Sequence, residues 1–188
     1  IDKTFRRRGT FFDRFGAVHC EMAQPVCARL KETLLHVAPP LDVTTHLDGT
    51  YVCMEGPQFS TRAESLMHRT WGGDLIGMTA MPEAKLAREA QMCYALIALA
   101  SDYDCWRPHD KPKGKWGLLE EILSNMKTAT NNCLALIQAL LASDEVLVHE
   151  YCPCRKSLEL AAWTYPTSID AEEKKRLLKE ELERASEP

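Results

Sequence analysis

From about residue 42 to residue 104 the sequence alternates between strand-like and helix-like segments, and this alternation restricts the fold more than any other feature. Residues 50–54 form a β-branched and aromatic run between glycines, which predicts a strand. The segment DLIGMT (74–79) predicts a second, short strand, and the continuous apolar run QMCYALIALAS (91–101) is typical of a strand covered on both faces. Because helical segments separate these runs, the order predicts an α/β fold whose sheet is largely parallel in this region.

The two helices between these strands carry their own start and stop signals. Thr61 and Glu64 have the spacing of a capping box, and the glycines at 72–73 can end that helix. Pro82 and Glu83 stand where the second helix begins, since proline suits the first helical turn and a carboxylate there opposes the helix dipole. We therefore expect two helices, each connecting one strand to the next.

Beyond residue 106 the chain becomes less regular. Residues 107–117 are polar and broken by prolines, which predicts a loop. Apolar residues then recur at helical period over 118–141, so a long helix should pack one face on the sheet. The chain ends in a highly charged helix with Asp170 as N-cap and with Leu178 and Leu182 on one side. We expect this last helix to be an exposed arm or an oligomer contact.

Composition excludes some classes of protein. The chain has 188 residues, 45% of them hydrophobic, which is enough for one domain with a buried core. The net charge of −4 and the pI of about 5.9 argue against a nucleic-acid-binding or polybasic membrane-surface protein. Three consecutive arginines at 6–8 are interpreted as a solvated turn. No apolar stretch approaches the roughly 20 residues that span a bilayer, so neither nucleic acid nor membrane is expected as a partner.

Asp102 and Asp104 follow the apolar run, at the carboxyl end where open α/β sheets bind ligands. Alternation along an extended chain sends both carboxylates to the same side. Two such groups in a partly dry pocket cannot both ionise cheaply, so one should retain a proton. The pair then offers a donor beside an acceptor, which matches N7 and the N6 amino group of adenine. The alternative is an acidic turn that caps the next element.

Two other strand ends carry candidate ligand-binding residues. Thr79 follows the second strand, and a hydroxyl beside a helix N-terminus is suited to an anion such as phosphate; it could equally be the helix cap. Phe59 follows a Gly-Pro turn after the first strand and could lie against a flat ligand, or it could belong to the core.

The motifs EGPQFSTRAES, GMTAMPE and SDYDCW closely resemble those of the 5′-methylthioadenosine phosphorylases of the trimeric purine nucleoside phosphorylase superfamily. The resemblance extends upstream through IDKTFRRRGTFF and MAQPVC, is dense over residues 1–106 and thins beyond. It implies an α/β fold with a mixed central sheet flanked by helices, purine nucleoside phosphorylase-like. It also implies a single domain, with 1–143 as the family-like core and 144–188 as a variable tail.

The resemblance also implies roles for individual residues. Asp102 and Asp104 match the pair that reads the purine, with Asp102 as the general acid at N7. Relatives that prefer 6-oxopurines carry Asn at the first of these positions, so the aspartate here favours 6-aminopurines. Met78 matches a ribose contact and Thr79 a phosphate ligand.

Four further positions complete the implied site. Phe59 matches an aromatic residue that packs on the base and sugar, and Ser60 lies where family members select the purine and the 5′ group. His19 matches a histidine that reaches a neighbouring subunit's site; on the residues alone it would be an ordinary surface or core histidine. Trp116, in the loop expected to border the 5′ pocket, is the candidate there to test.

The implied reaction is phosphorolysis of 5′-methylthioadenosine in a cytoplasmic homotrimer or dimer of trimers, with active sites at subunit interfaces, phosphate as co-substrate and no cofactor. The family's Gly-rich phosphate loop and Arg-His clamp do not occur in this sequence, so we expect the chain to be the C-terminal portion of such an enzyme. The alternatives are a broader purine nucleoside phosphorylase acting on adenosine or inosine, and a non-catalytic purine-binding subunit.

Most of the eight cysteines lie in or near apolar runs and are interpreted as core thiols. Cys152 and Cys154 in EYCPCRK resemble the Cys-x-Cys tail of some thermophilic family members. Residues two apart in an extended chain lie about 6–7 Å from each other, so a disulfide between them would be strained and easily reduced. Free thiols, and a metal site using His149, are the alternatives; no metal is expected in the active site.

Overall fold

The computed structural model describes residues 1–12, 17–41, 43–108, 114–144, 151–159, 161–164 and 170–185. The strands in these ranges are β1 (Asp2–Lys3), β2 (Ala17–His19), β3 (Tyr51–Met54), β4 (Leu75–Gly77) and β5 (Ala162–Thr164). The helices are α1 (Ala28–Val37), α2 (Arg62–Thr70), α3 (Ala80–Glu89), α4 (Gly114–Ala142) and α5 (Ala171–Ala185). Two short 3-10 turns cover Pro39–Leu41 and Pro153–Lys156.

The central sheet is parallel and has the order β1-β3-β4. In the middle strand Val52 and Cys53 are each 1% exposed, because β3 has a neighbour on both edges and helices over its faces. A separate antiparallel pair joins β2 to β5, with Val18 opposite Trp163. The α/β class and the parallel pairing are confirmed, whereas the β1–β3 and β2–β5 pairings had no clear sequence signal.

Helices α2 and α3 follow their local signals closely. The hydroxyl of Thr61 accepts from the N–H of Glu64, whose carboxylate accepts from the N–H of Thr61 at 2.8 Å, so the predicted capping box is confirmed. Gly72, with φ of +79°, ends α2 in a conformation that glycine adopts without strain. Helix α3 begins at Ala80, two residues earlier than predicted, and is kinked at Met81.

The predicted strand over 91–101 was wrong for the described chain. Residues 92–101 form no ladder with any strand in the described ranges, and Met92 and Leu99 are 58% and 44% exposed. A parallel strand requires a neighbour to accept and donate its backbone hydrogen bonds, and among the described residues β4 pairs with β3 alone, over three residues. The segment is tied at its ends, where Cys27 N–H donates to the Tyr94 carbonyl at 2.8 Å and Asn125 Nδ2 to the Ser101 carbonyl at 2.8 Å.

The long helix α4 forms where its apolar period predicts, but it packs on different partners. Its contacts are chiefly with α1 and the Pro39–Leu41 turn, where Leu136 joins Val37 and Ala38 in a buried cluster. The expectation that α4 packs on the sheet was therefore wrong for the described residues, since α1 and the Pro39–Leu41 turn are its chief partners. Asp170 caps α5 as predicted, accepting from Glu173 N–H at 2.9 Å. The side chains of Leu178 and Leu182 lie outside the described part.

Ion pairs one turn apart run along α5, among them Arg176 with Glu173 and Glu180. Every described side chain on this helix except that of Glu173 is exposed, which agrees with the expected exposed arm. None of the described helices combines the length and apolar character needed to cross a membrane.

Candidate active site

The carboxyl ends of β3 and β4 lie side by side, and the loops that leave them touch. Gly56, with φ of +69°, lies two residues beyond the end of β3, and a Cβ at this position would lie 2.8 Å from Met78 Sδ. Glycine is therefore required here both by its backbone conformation and by the approach of Met78. This contact places the segment containing Phe59 and Ser60 beside the predicted ribose contact Met78.

Arg7 holds these two strand ends together. Its guanidinium donates to the carbonyls of Glu55 and Met78 and, at 3.4 Å each, to those of Met54 and Met81. Its Nε also lies 3.4 Å from a carboxylate oxygen of Glu55. The sequence interpretation of residues 6–8 as a solvated turn was wrong for Arg7. A planar guanidinium with five N–H donors can serve several carbonyls that have no ladder partner.

Glu55 is fixed from the other side by the N-terminal segment. Its carboxylate accepts from the N–H groups of Phe5 at 2.7 Å and Arg6 at 3.3 Å. These backbone donors, that of Phe5 above all, together with Arg7, hold the pKa of the Glu55 carboxyl below its usual range. A charged glutamate thus secures the first residues of the chain against the end of β3.

Thr79 is exposed and lies next to Tyr51 of the central strand. It occupies the N-cap position of α3 without a side-chain capping hydrogen bond, so the alternative role as a helix cap is not realised. Burial raises the pKa of Tyr51, while the N–H and hydroxyl of Thr79, which donate to the tyrosine oxygen, act in the opposite direction. Glycine at 77 is needed because the Tyr51 hydroxyl leaves no room for a Cβ.

Phe59 and Ser60 leave β3 toward this same edge. Phe59 is 84% exposed, so its alternative role in the core is wrong for the described chain. Ser60 is half-buried, and its hydroxyl points at Met54 Sδ at 3.7 Å. An exposed aromatic ring of this kind can cover a flat ligand.

Asp104 is brought to this group through its neighbour Cys105. The Cys105 N–H donates to Asp104 Oδ1 at 2.8 Å, and the Cys105 thiol donates to the Ser60 carbonyl at 3.4 Å. The next residue, Trp106, lies under the Arg69 guanidinium of α2 at 3.7 Å from the ring centroid. Asp104 is half-buried in this turn.

Asp102 lies elsewhere. It borders an open groove of about 460 Å³ whose other walls include Asp74 and Leu75 at the start of β4 and Asn125 of α4. This is the opposite end of β4 from Thr79. The Asp102 side chain is exposed and accepts from the Ser101 hydroxyl.

The chain bends at residue 102 and turns at 105–106, so the strict alternation of an extended strand does not apply. In the described part of the chain no hydrogen bond joins Asp102 to Asp104, and they take different partners. The dry pocket needed for a shared proton is therefore not formed by these residues alone.

The remaining predicted residues lie apart from the strand ends. His19 is exposed at the end of β2, opposite Ala162 of β5. Trp116, in the first turn of α4, is 79% exposed. His149 lies outside the described residues. The eight cysteines are all free thiols, Cys152 and Cys154 included, and the disulfide between these two stays a prediction.

The sequence and the fold are similar to those of known proteins. The model of a family described as the phosphorylase superfamily matches residues 1–142. An S-methyl-5′-thioadenosine phosphorylase of Cereibacter sphaeroides is 42% identical over 174 residues, 92% of this chain and 58% of the relative. One of Thermosynechococcus vestitus is 45% identical over 161 residues, 84% and 53% respectively.

Two solved structures have a similar fold. A methylthioadenosine phosphorylase from an antarctic soil metagenomic library has a TM-score of 0.67 at 36% identity, over 97% of this chain and 62% of that one. A mutant of the adenosine/methylthioadenosine phosphorylase of Schistosoma mansoni, in complex with methylthioadenosine, has a TM-score of 0.71 at 29% identity, over 84% and 60%. The chain therefore spans between about half and three fifths of the relatives it matches. With the family model covering three quarters of its residues and parallel strand ends bearing the predicted motifs, this chain belongs to the phosphorylase superfamily.

Proposed function

We propose that the protein to which this chain belongs cleaves 5′-methylthioadenosine with inorganic phosphate. The bond between C1′ and the purine nitrogen breaks, a bond from C1′ to a phosphate oxygen forms, and the products are adenine and 5-methylthioribose 1-phosphate. The observation that carries the proposal is the identity of 42–45% to proteins named S-methyl-5′-thioadenosine phosphorylase.

The purine would be read by Asp102 and Asp104. As the glycosidic bond breaks, negative charge develops on the departing base, and a proton or hydrogen bond at N7 relieves it. In this role Asp102 is the acid at N7, while the second carboxylate accepts from the 6-amino group. The bend at residue 102 would have to close toward Asp104 for both to reach one base, and the exposure of Asp102 leaves it free to move.

Phosphate and sugar would bind at the ends of β3 and β4. Thr79 offers a hydroxyl and Met78 an apolar surface for the ribose, while Phe59 and Ser60 border the base and sugar. Phosphate held beside the developing positive charge on C1′ is both the nucleophile and an electrostatic stabiliser. This scheme needs no metal or organic cofactor. One hydroxyl is a small anion site, so further phosphate ligands are expected from outside this chain's described residues.

We further propose a cytoplasmic homotrimer, or a dimer of trimers, with active sites at subunit interfaces. In this arrangement His19 and Trp116, which lie away from the strand ends, act near the 5′ group, His19 in a neighbouring subunit's site. Neither nucleic acid nor membrane is a partner. Size exclusion with intact-mass analysis establishes both the oligomer and the length of the polypeptide, and a chain of 188 residues with full activity would contradict the expected need for further phosphate ligands.

Substrate comparison tests the activity. We expect phosphate-dependent release of adenine from methylthioadenosine, slower turnover of adenosine and least of inosine. Asp102→Asn should lower kcat/KM for methylthioadenosine by on the order of 100-fold, as expected when a general acid is lost. Asp48→Asn is the matched control, since Asp48 is exposed and paired with Lys31. A preference for inosine, or an Asp102→Asn variant with unchanged turnover, would contradict the proposal.

Adenosine is the second candidate substrate, because the Schistosoma mansoni neighbour is named for both adenosine and methylthioadenosine. Comparable kcat/KM values for the two nucleosides would favour that broader activity. A non-catalytic subunit would instead bind adenine tightly with no dependence on phosphate and release no base.

A further inference from the structure

Four cysteines from three separate parts of the chain meet in one place. Cys27 immediately precedes α1, Cys93 follows α3, and Cys152 and Cys154 border the start of the Pro153–Lys156 turn. The four sulfur atoms all lie within 4.8 Å of one another. Cys152 Sγ lies 3.7 Å from Cys27 Sγ and 3.4 Å from Cys93 Sγ. We call this group the four-cysteine cluster.

The spacing of these sulfurs suits one small ion at their centre. Four thiolates bound tetrahedrally to zinc at about 2.3 Å have sulfur–sulfur separations of about 3.8 Å. A disulfide would bring two sulfurs to about 2.05 Å. The sulfur–sulfur distances of 3.7 Å and 3.4 Å in this structure lie near the separation of about 3.8 Å expected around zinc. Two disulfides would instead divide the four sulfurs into two separate pairs.

The cluster is enclosed. Cys27, Cys152 and Cys154 are 3%, 3% and 7% exposed, and Leu30 packs against them. A site with four protein ligands in such surroundings leaves no position for substrate or water, which is the arrangement of structural rather than catalytic zinc.

Hydrogen-bond donors lie close to the sulfur atoms of the four-cysteine cluster. The N–H of Cys154 donates to the sulfur of Cys152. The Arg29 guanidinium lies 3.9 Å from Cys93 Sγ. A positive group at this distance partly offsets the charge of −2 that four thiolates and one divalent ion carry together, and N–H donors to sulfur are usual around thiolate-bound metals.

We propose that the four-cysteine cluster is a structural Zn²⁺ site. Binding displaces the thiol protons to solvent and forms four Zn–S bonds, with no change in oxidation state. The ion joins residues 151–159 to the start of α1 and to Cys93. Cys93 lies at the beginning of the 92–101 segment, which has no ladder among the described residues. The site is independent of the proposed phosphorolysis, since it shares no residue with the strand ends.

The test uses the intact protein, purified under reducing conditions without a metal-affinity tag. Elemental analysis should find about one zinc per chain, falling at least roughly tenfold in Cys154→Ser and unchanged in Cys133→Ser, whose thiol lies on α4 outside the cluster. Cobalt added to the metal-free protein should give the intense visible bands of a tetrahedral thiolate site, absent from Cys154→Ser.

A second measurement does not depend on a variant that folds. A chelator added to the unmodified protein should lower its Tm, and Zn²⁺ but not Mg²⁺ should restore it. The proposal is overturned if the reduced protein takes up neither zinc nor cobalt. It is equally overturned if the intact mass of the protein, isolated without reductant, is lower by two hydrogens for each disulfide among these four cysteines. Iron as the bound metal would also overturn it.

Discussion

Residues 50–90 and residues 91–108 differ in how their backbones are held. In the first region β3 pairs with both β1 and β4, α2 is capped at both ends, and Arg7 binds carbonyls at the end of β3 and beyond β4. In the second region the backbone forms no ladder among the described residues, and Met92, Leu99 and Tyr103 are 58%, 44% and 58% exposed. A strand pattern becomes a strand only where a neighbour supplies the other half of the hydrogen bonds.

This difference divides the candidate site into two parts. Phe59, Met78 and Thr79 belong to the first region, and their positions follow from β3 and β4. Asp102 belongs to the second, at the groove beside the start of β4, and Asp104 is joined to the Ser60 segment through Cys105. The residues proposed for phosphate and ribose thus follow paired strands, whereas the residues proposed to bind the base follow a segment that has no ladder in the described part of the chain.

The largest effect should come from the residue that joins the two strand ends. Arg7→Ala removes a guanidinium that serves several carbonyls and Glu55, and the free energy of unfolding should fall by about 3 kcal/mol. Urea denaturation measures this. Arg6→Ala is the control and should change stability by less than about 0.5 kcal/mol, because Arg6 is exposed. Equal losses in both variants would show that Arg7 is a solvated residue.

A pair of apolar truncations compares the two regions directly. Val52→Ala in the buried middle strand should cost about 2 kcal/mol, since it removes two carbons from a side chain that is 1% exposed. Leu99→Ala should cost less than about 0.5 kcal/mol, because Leu99 is 44% exposed. If Leu99→Ala is as destabilising as Val52→Ala in the assembled protein, then residues 92–101 are buried there and the contrast between the regions fails.

The capping box should contribute less. Thr61→Ala loses the hydroxyl that accepts from Glu64 N–H, and α2 should lose about 1 kcal/mol of stability. Thermal unfolding measures the shift. Thr70→Ala serves as control, since its exposed hydroxyl only bonds back to the Leu66 carbonyl within the helix. A larger loss from Thr70 than from Thr61 would contradict the assignment of the cap.

The smallest expected effect is a pH dependence at the edge strand β1. Burial raises the pKa of Asp2, but the Lys85 ammonium and the hydroxyl and N–H of Thr4 outweigh it, so the pKa lies below the usual value. The carboxylate therefore stabilises the fold above the unfolded pKa of about 3.9 and loses this as pH falls through the lower folded value. In Asp2→Asn the free energy of unfolding should fall less steeply with pH below about pH 4, and the difference from the unmodified protein should be less than about 1 kcal/mol. An unchanged acid limb of the unfolding curve would show that Asp2 contributes nothing there.

Local signals in the sequence predicted the elements that depend on neighbours within a few residues. Four such predictions are confirmed: the Thr61 capping box, the glycine that ends α2, the helix α4 and the Asp170 cap. Each of these features depends on hydrogen bonds or side-chain spacing within its own helix or turn. The ends of β3 and β4, which carry two of the predicted motifs, meet at one edge of the sheet, as expected of parallel strands.

Features that join distant parts of the chain could not be predicted in the same way. The role of Arg7 depends on carbonyls 47 to 74 positions away, and the four-cysteine cluster brings Cys27 to Cys152, which lies 125 positions away in the sequence. The failed strand over 92–101 and the packing of α4 on α1 have the same cause. Composition and local spacing determined the capped helices and the strands β3 and β4. The tertiary structure alone decided which segments meet, because backbone hydrogen bonds and buried charges need partners that proximity in sequence does not specify.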